Sequence, residues 1–144
     1  MITFYDRTDT VLKKIKRQER LALALATEQI KAEVQMLKRP PDVITGFYRA
    51  TFHSSGQALN ISGEGKERTA VVSGKPKPYN KSKEVIACDL QSGADYAGHL
   101  EFRDFSQFNG KWKSYGVLMP IRRAAVLAIP KIDKIFNKYL SNLK

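Results

Sequence analysis

One cysteine and two histidines are all the thiol and imidazole groups that this chain of 144 residues contains. A lone Cys88 closes no internal disulfide, and with His53 and His99 on separate stretches it makes no recognisable zinc spacing. No metal and no cofactor is therefore expected, and Cys88, inside the apolar run 85–88, is expected to be a small buried hydrophobe. Long apolar runs are also missing. The longest, 21–26 and 124–129, fall far short of the roughly 18 residues of a membrane span. Residues 1–10 lack the basic start and apolar stretch of a secretory leader, so the cytoplasm is the expected place of synthesis. Carboxylates are scarce as well: 14 Asp and Glu face 25 Lys and Arg, a formal charge of +11. An excess of that size is matched by a negative partner, whether nucleic acid, an acidic protein surface or anionic lipid.

What is present suits one folded domain. The apolar fraction is 42% and the charged fraction 27%, both ordinary globular values, and a chain of this length holds one core more comfortably than two. Residues 9–38 contain neither glycine nor proline. Thr8, Asp9 or Thr10 can cap a helix there, and Pro40 and Pro41 stop it. Val11, Leu12, Ile15, Ala22, Ala26, Ile30, Val34 and Leu37 recur at helical spacing, with a break at Gln18 and Glu19. The block before the break, 13–20, carries Lys13, Lys14, Lys16, Arg17 and Arg20 and is expected to project beyond the core.

Short strands are expected at 45–53, 58–62, 69–73 and 84–90, forming one small antiparallel sheet. Residues 73–83, with Gly74, Pro76, Pro78, Lys75, Lys77, Lys81 and Lys83, have loop composition and like charges, and a mobile hairpin or arm is expected. A short helix or turn follows at 95–102, then an aromatic, ordered loop over 103–116. The last helix runs from about 118–120 to 143, and Pro130 should kink or split it. The expected fold class is α+β, with long terminal helices packed on the sheet.

No catalytic constellation satisfies its spacing rule. Gly63, Gly65 and Lys66 suggest a phosphate loop, but Asn60 stands where its first glycine belongs and Glu67 where its hydroxyl belongs. Asp95, Glu101 and Asp104, with His99, could support a small hydrolase or nuclease, the weakest of three readings; solvated or salt-bridged carboxylates are the commoner case. The stronger signals are surfaces. Phe102, Arg103, Phe105, Phe108, Lys111, Trp112, Lys113 and Tyr115 interleave rings with cations. Single-strand nucleic-acid platforms do this, and so do protein interfaces, while some of these rings could simply complete the core. Core or protein interface ranks first, because no recognisable nucleic-acid module accompanies them. The basic clusters at 13–20, at 75–83 and at Arg122, Arg123, Lys131, Lys134, Lys138 and Lys144 look like separate patches that touch several neighbours. A small basic nucleic-acid-binding module is the alternative.

The order of elements resembles the neck or tail-completion proteins of long-tailed bacteriophages. Three cues carry the resemblance: Thr45-Gly46-Phe47-Tyr48-Arg49-Ala50 after a long basic helix; Ala94-Asp95-Tyr96-Ala97-Gly98-His99-Leu100-Glu101-Phe102; and 117–125, where a proline and small apolar residues open the terminal helix. The family implies a virion subunit at the head–tail junction, a hexameric ring between connector or head-completion proteins and the tail terminator, with genomic DNA passing through its lumen. It implies no catalysis and no membrane. Interface residues expected on this reading are Lys13, Lys14, Arg17, Arg20, Arg49, Lys75, Lys77, Phe105, Phe108, Trp112, Tyr115, Arg122 and Arg123.

Overall fold

A computed structural model describes residues 7–37, 46–102 and 120–141. The aromatic stretch expected as an ordered loop, with Phe105, Phe108, Trp112 and Tyr115, lies outside the described residues.

Helix α1 spans Thr8–Met36 and α4 spans Pro120–Ser141. At a rise of about 1.5 Å per residue, α1 is about 43 Å long and α4 about 33 Å. They pack antiparallel: Ala124 shares a core with Val34 near the end of α1, while Tyr139 lines the same hollow as Leu21 and Leu25 nearer its start. Their seam is built of alanines. Ala22, Ala26, Ala124 and Ala128 are all buried, and such short side chains let the two backbones come close. In the opening turns of α1, residues 11–14, 16 and 17 are exposed. Helix α1 starts without the expected side-chain cap. Arg7 occupies the cap position and makes no capping bond, although Asp9 in the first turn complements the helix dipole.

Residues 46–50, expected inside a strand, form the short helix α2 (Gly46–Ala50), and the strand β1 (Phe52–Ser54) begins only afterwards. A strand would have put Phe47, Arg49 and Thr51 on one face. The helical turn instead buries Tyr48, Thr51 and Phe52 together, at i, i+3 and i+4. Thr51 closes the turn with its own side chain, donating from Oγ1 to the Tyr48 carbonyl at 2.8 Å.

The fold is α+β, as expected, and among the described residues its β structure is three two-stranded antiparallel sheets rather than one. β2 (Ala58–Ser62) and β3 (Thr69–Ser73) form a hairpin, with Ala58 opposite Ser73 and Ser62 opposite Thr69. The stretch expected as one strand over 84–90 divides into β5 (Ile86–Ala87), which pairs with β4 (Tyr79–Asn80), and β6 (Leu90–Ser92), which pairs with β1. The division falls where Ser55 intervenes: its amide donates to the Asp89 carbonyl at 3.1 Å, and its hydroxyl accepts from the Asp89 amide at 3.3 Å.

Helix α3 (Ala97–Phe102) completes a second core of Val34, Tyr48, Phe52, Ala94, Leu100 and Ala124. Here the Tyr48 ring meets Phe52 edge-on at 4.9 Å and stacks on Tyr96 at 6.0 Å. Helix α4 is one continuous helix through Pro130, so the proline does not split it. Pro130 and Val126, whose carbonyl loses its helical donor, both lie on the exposed side, where water can serve that carbonyl.

A candidate basic binding groove

The cationic block of α1 is a helical face before it is a run of charge. Lys13, Lys16, Arg17, Arg20, Leu21 and Ala24 fall at i, i+3, i+4, i+7, i+8 and i+11, all on one side of the helix. Across from them lies a strap of extended chain, 74–78, and between strap and helix is a groove of about 570 Å³ lined by those six residues together with Pro76, Lys77 and Pro78. Five cationic side chains therefore surround a floor of Leu21, Ala24, Pro76 and Pro78. A second hollow of about 500 Å³ continues along α1. It shares Leu21, Ala24 and Pro76 with the first and adds Leu25, Glu28, Gln57, Gly74, Lys75 and Tyr139.

Specific bonds fix the strap. Arg20 donates from Nη1 to the Pro78 carbonyl and from Nη2 to Asn80 Oδ1, both at 2.6 Å. The Lys77 amide donates to the Ser55 carbonyl at 2.7 Å, and the Tyr79 hydroxyl donates to Asp89 at 2.7 Å, a bond that holds the Tyr79 phenol above its usual pKa. Gly56 makes the close approach possible. Its φ is +84°, and a Cβ there would stand 2.5 Å from Lys77 Cβ and 3.0 Å from the Lys77 amide nitrogen. Within the segment expected as a mobile hairpin or arm, 73–83, lies the root of the β4–β5 hairpin, and this root bonds to α1 and to Ser55 just after β1.

The groove brings together two clusters that sequence spacing kept apart. Of the residues expected at an interface, Lys13, Arg17, Arg20 and Lys77 line the first hollow and Lys75 the second. Lys16 joins them, while Lys14 is exposed on α1 outside the groove lining. Arg122 and Arg123 are exposed in the first turn of α4, at the opposite end of the helix pair. Arg49 faces inward, its Nη2 donating to the Leu37 carbonyl at the end of α1. The groove was legible in the i, i+3, i+4 placement of cations followed by Leu21 and Ala24. The strap, which reaches α1 across 58 residues of sequence, left no local signal.

The crowding on α1 has an energetic meaning. Lys13–Lys16, Lys13–Arg17, Lys16–Arg20 and Arg17–Arg20 are like-charged pairs at i,i+3 or i,i+4, each unfavourable by about 0.2–0.5 kcal/mol on an exposed helix. A covering anion would turn that repulsion into attraction.

The carboxylates and histidines weighed for catalysis are engaged elsewhere. Asp95 pairs with Arg68 at 3.3 Å, and that guanidinium holds its carboxyl below the usual range; Arg68 also lies 4.5 Å over the Phe47 ring. Glu101 accepts from the amides of Ile121 and Arg122 at 2.9 and 3.2 Å, capping α4. His53 Nδ1 lies 3.0 Å from the Thr51 carbonyl on β1, while His99 is exposed on α3. Cys88 is half-buried and accepts from the Ser55 hydroxyl. Among the described residues no three His, Cys, Asp or Glu side chains cluster as a metal site would require, and no helix is long and apolar enough to cross a membrane. Asp104 lies outside the described residues. Compared with protein-family models, curated proteins and solved structures, the chain matches none.

Proposed function

We propose that this chain is a non-enzymatic assembly subunit of a virion, a neck or tail-completion protein at the head–tail junction of a long-tailed bacteriophage. It is made in the host cytoplasm. In the virion it forms a homo-oligomeric ring, hexameric as the resemblance implies, between connector or head-completion proteins and the tail terminator, with DNA in the lumen. The observation that carries the reading is the apolar surface left on the two long helices. Val126, Leu127 and Ile129 on α4 are 61, 55 and 52% exposed and sit beside Pro130, while Val11, Leu12, Leu21 and Leu25 are similarly uncovered on α1. Single exposed aliphatic residues are common, but neighbouring ones on projecting helices, edged by cations, suit burial against other subunits. Ring contacts would also add to a core that consists largely of alanines and one aromatic cluster.

Light scattering and negative-stain electron microscopy of the purified protein, with mass spectrometry of virions, test the proposal. A closed ring and a fixed copy number per particle are expected. A monomer at all concentrations that is also missing from virions refutes it.

The groove favours a second reading, the nucleic-acid-binding module. Five cations engaging a single strand predict an affinity that falls about a hundredfold between about 50 and 200 mM salt through counterion release. Anisotropy of a labelled oligothymidylate measures this, and no binding at the lower salt eliminates the module.

A further inference from the structure

We infer that the groove along α1 is a docking site for an extended acidic and apolar peptide segment of a neighbouring protein; this rests on the reading of the chain as an assembly subunit. Charge complementarity says that the occupant is negative at one end. Lys13, Lys16, Arg17, Arg20 and Lys77 converge on the first hollow, and no carboxylate lines it. Two further features select a peptide over a nucleic acid, and a third sets its length.

The first is the floor. In the first hollow Leu21, Ala24, Pro76 and Pro78 offer aliphatic surface but no ring on which a base could stack, whereas a leucine or valine of a peptide loses water contact there; the ring of Tyr139 lines the far hollow, which Glu28 also lines. The second is polarity along the trough. A nucleic acid carries a phosphate at every step, and one of them would meet Glu28, which lines the far hollow. The buried Oε1 of Glu28 makes no hydrogen bond, and its ion-pair partner Lys31 stands 3.9 Å away. A peptide can place its acids against Lys13–Arg20 and an apolar or donor group near Glu28. The third is length. From Lys13 to Glu28 the helix advances about 22 Å, which an extended peptide of about seven residues spans.

The strap also dictates how the peptide is held. Pro76 and Pro78 have no amide hydrogen, and the Lys77 amide is already given to Ser55. The strap therefore offers no ladder of donors to an incoming strand. Recognition falls to side chains, with cations gripping carboxylates above an apolar floor, so it reads composition and spacing.

The test uses the full chain and three fluorescein-labelled probes at about 150 mM salt: a peptide of about seven residues alternating glutamate with leucine, the same peptide with serine for leucine, and an oligothymidylate of equal charge. The glutamate–leucine peptide should bind at least about tenfold tighter than either other probe. The double variant Arg17→Glu with Lys77→Glu should lower its affinity about tenfold or more, while Arg122→Glu with Arg123→Glu, at the other end of the helix pair, should stay within about twofold. Circular dichroism checks folding. Should the first variant not fold, Lys13→Glu with Lys16→Glu, on the exposed turns, replaces it. Oligothymidylate binding as tightly as the peptide, equal losses in the two double variants, or no peptide binding at about 1 mM each overturns the inference. Rings in virions together with peptide affinity that ignores the groove variants sink the groove alone. Groove-dependent peptide binding by a protein absent from virions supports the groove and sinks the ring.

Discussion

Glu101 ties together parts of the chain that are far apart in sequence, and its removal puts the account of the core to a quantitative test. The carboxylate accepts from the Ile121 and Arg122 amides at the start of α4. Pro120 in the preceding position has no amide hydrogen to satisfy and a φ already suited to a helix start. Deleting a side-chain cap costs about 0.5–2 kcal/mol, and losing a negative charge at a helix N-terminus adds about 0.3–1 kcal/mol. Glu101 is only 9% exposed, so water replaces the lost acceptor poorly and the sum for Glu101→Ala lies near about 2–3 kcal/mol. Glu101→Gln keeps one acceptor and the shape but loses the charge, and should cost about 1 kcal/mol. Urea unfolding followed by far-ultraviolet circular dichroism reads both. With a slope of about 2 kcal/mol/M, the midpoint should fall by about 1–1.5 M for alanine and about 0.5 M for glutamine. Against a total stability of about 5–15 kcal/mol, these are large fractions. A midpoint for Glu101→Ala within about 0.2 M of the parent, or a glutamine variant weaker than the alanine one, would refute the reasoning.

Lys131 and Glu33 form an ion pair between α4 and α1, and the hydrogen bond from Lys131 holds the Glu33 carboxyl below its usual pKa. The stability that this depression contributes is present above the unfolded value, near pH 4.5, and is lost as pH falls through the lower folded value. Lys131→Met should therefore flatten the fall of the urea midpoint below that pH. Arg49→Ala removes the donor to the Leu37 carbonyl and should lower stability by about 1–3 kcal/mol; unchanged melting with impaired assembly would restore an interface role. Gly56→Ala forces a Cβ against Lys77 at a positive φ, should cost about 1–3 kcal/mol, and should speed hydrogen exchange at the Lys77 amide more than at the amides of the β2–β3 hairpin.

The elements legible in the sequence were those specified locally. The β2–β3 hairpin occupies the residues expected of it, since its two strands and the turn at Gly63 and Gly65 lie within 16 residues. Both long helices follow from helical spacing, and α1 runs on through the break in its stripe at Gln18 and Glu19. Residues 46–50 were misjudged because Phe and Tyr are good strand formers, and only the burial of Tyr48, Thr51 and Phe52 on one side makes the helix preferable. The expected antiparallel β structure is divided into separate small sheets for a related reason: two- and three-residue strands pair wherever a tertiary contact presents a partner. The groove was half visible. Its helical wall could be read as a face, whereas its second wall depends on Arg20, Gly56 and Ser55 reaching across the fold.

The residues that carry the resemblance to phage neck proteins and the residues that line the groove are two separate sets. Tyr48 and Tyr96 stack in the core, Arg49 serves the end of α1, and Glu101 caps α4 beside Pro120. All of them hold α1, α2, α3 and α4 in place, and none lines the groove. Those positions therefore serve the packing of this chain and name no partner. The groove's cations bear little of the core's burden, apart from Arg20 on the strap, and can change with little effect on the fold. If the chain is a junction subunit, its choice of neighbour lies in that groove and not in the motifs by which the family is recognised. Groove variants that fold normally but lose one contact of the assembly, with ring formation intact, are the outcome that this separation requires.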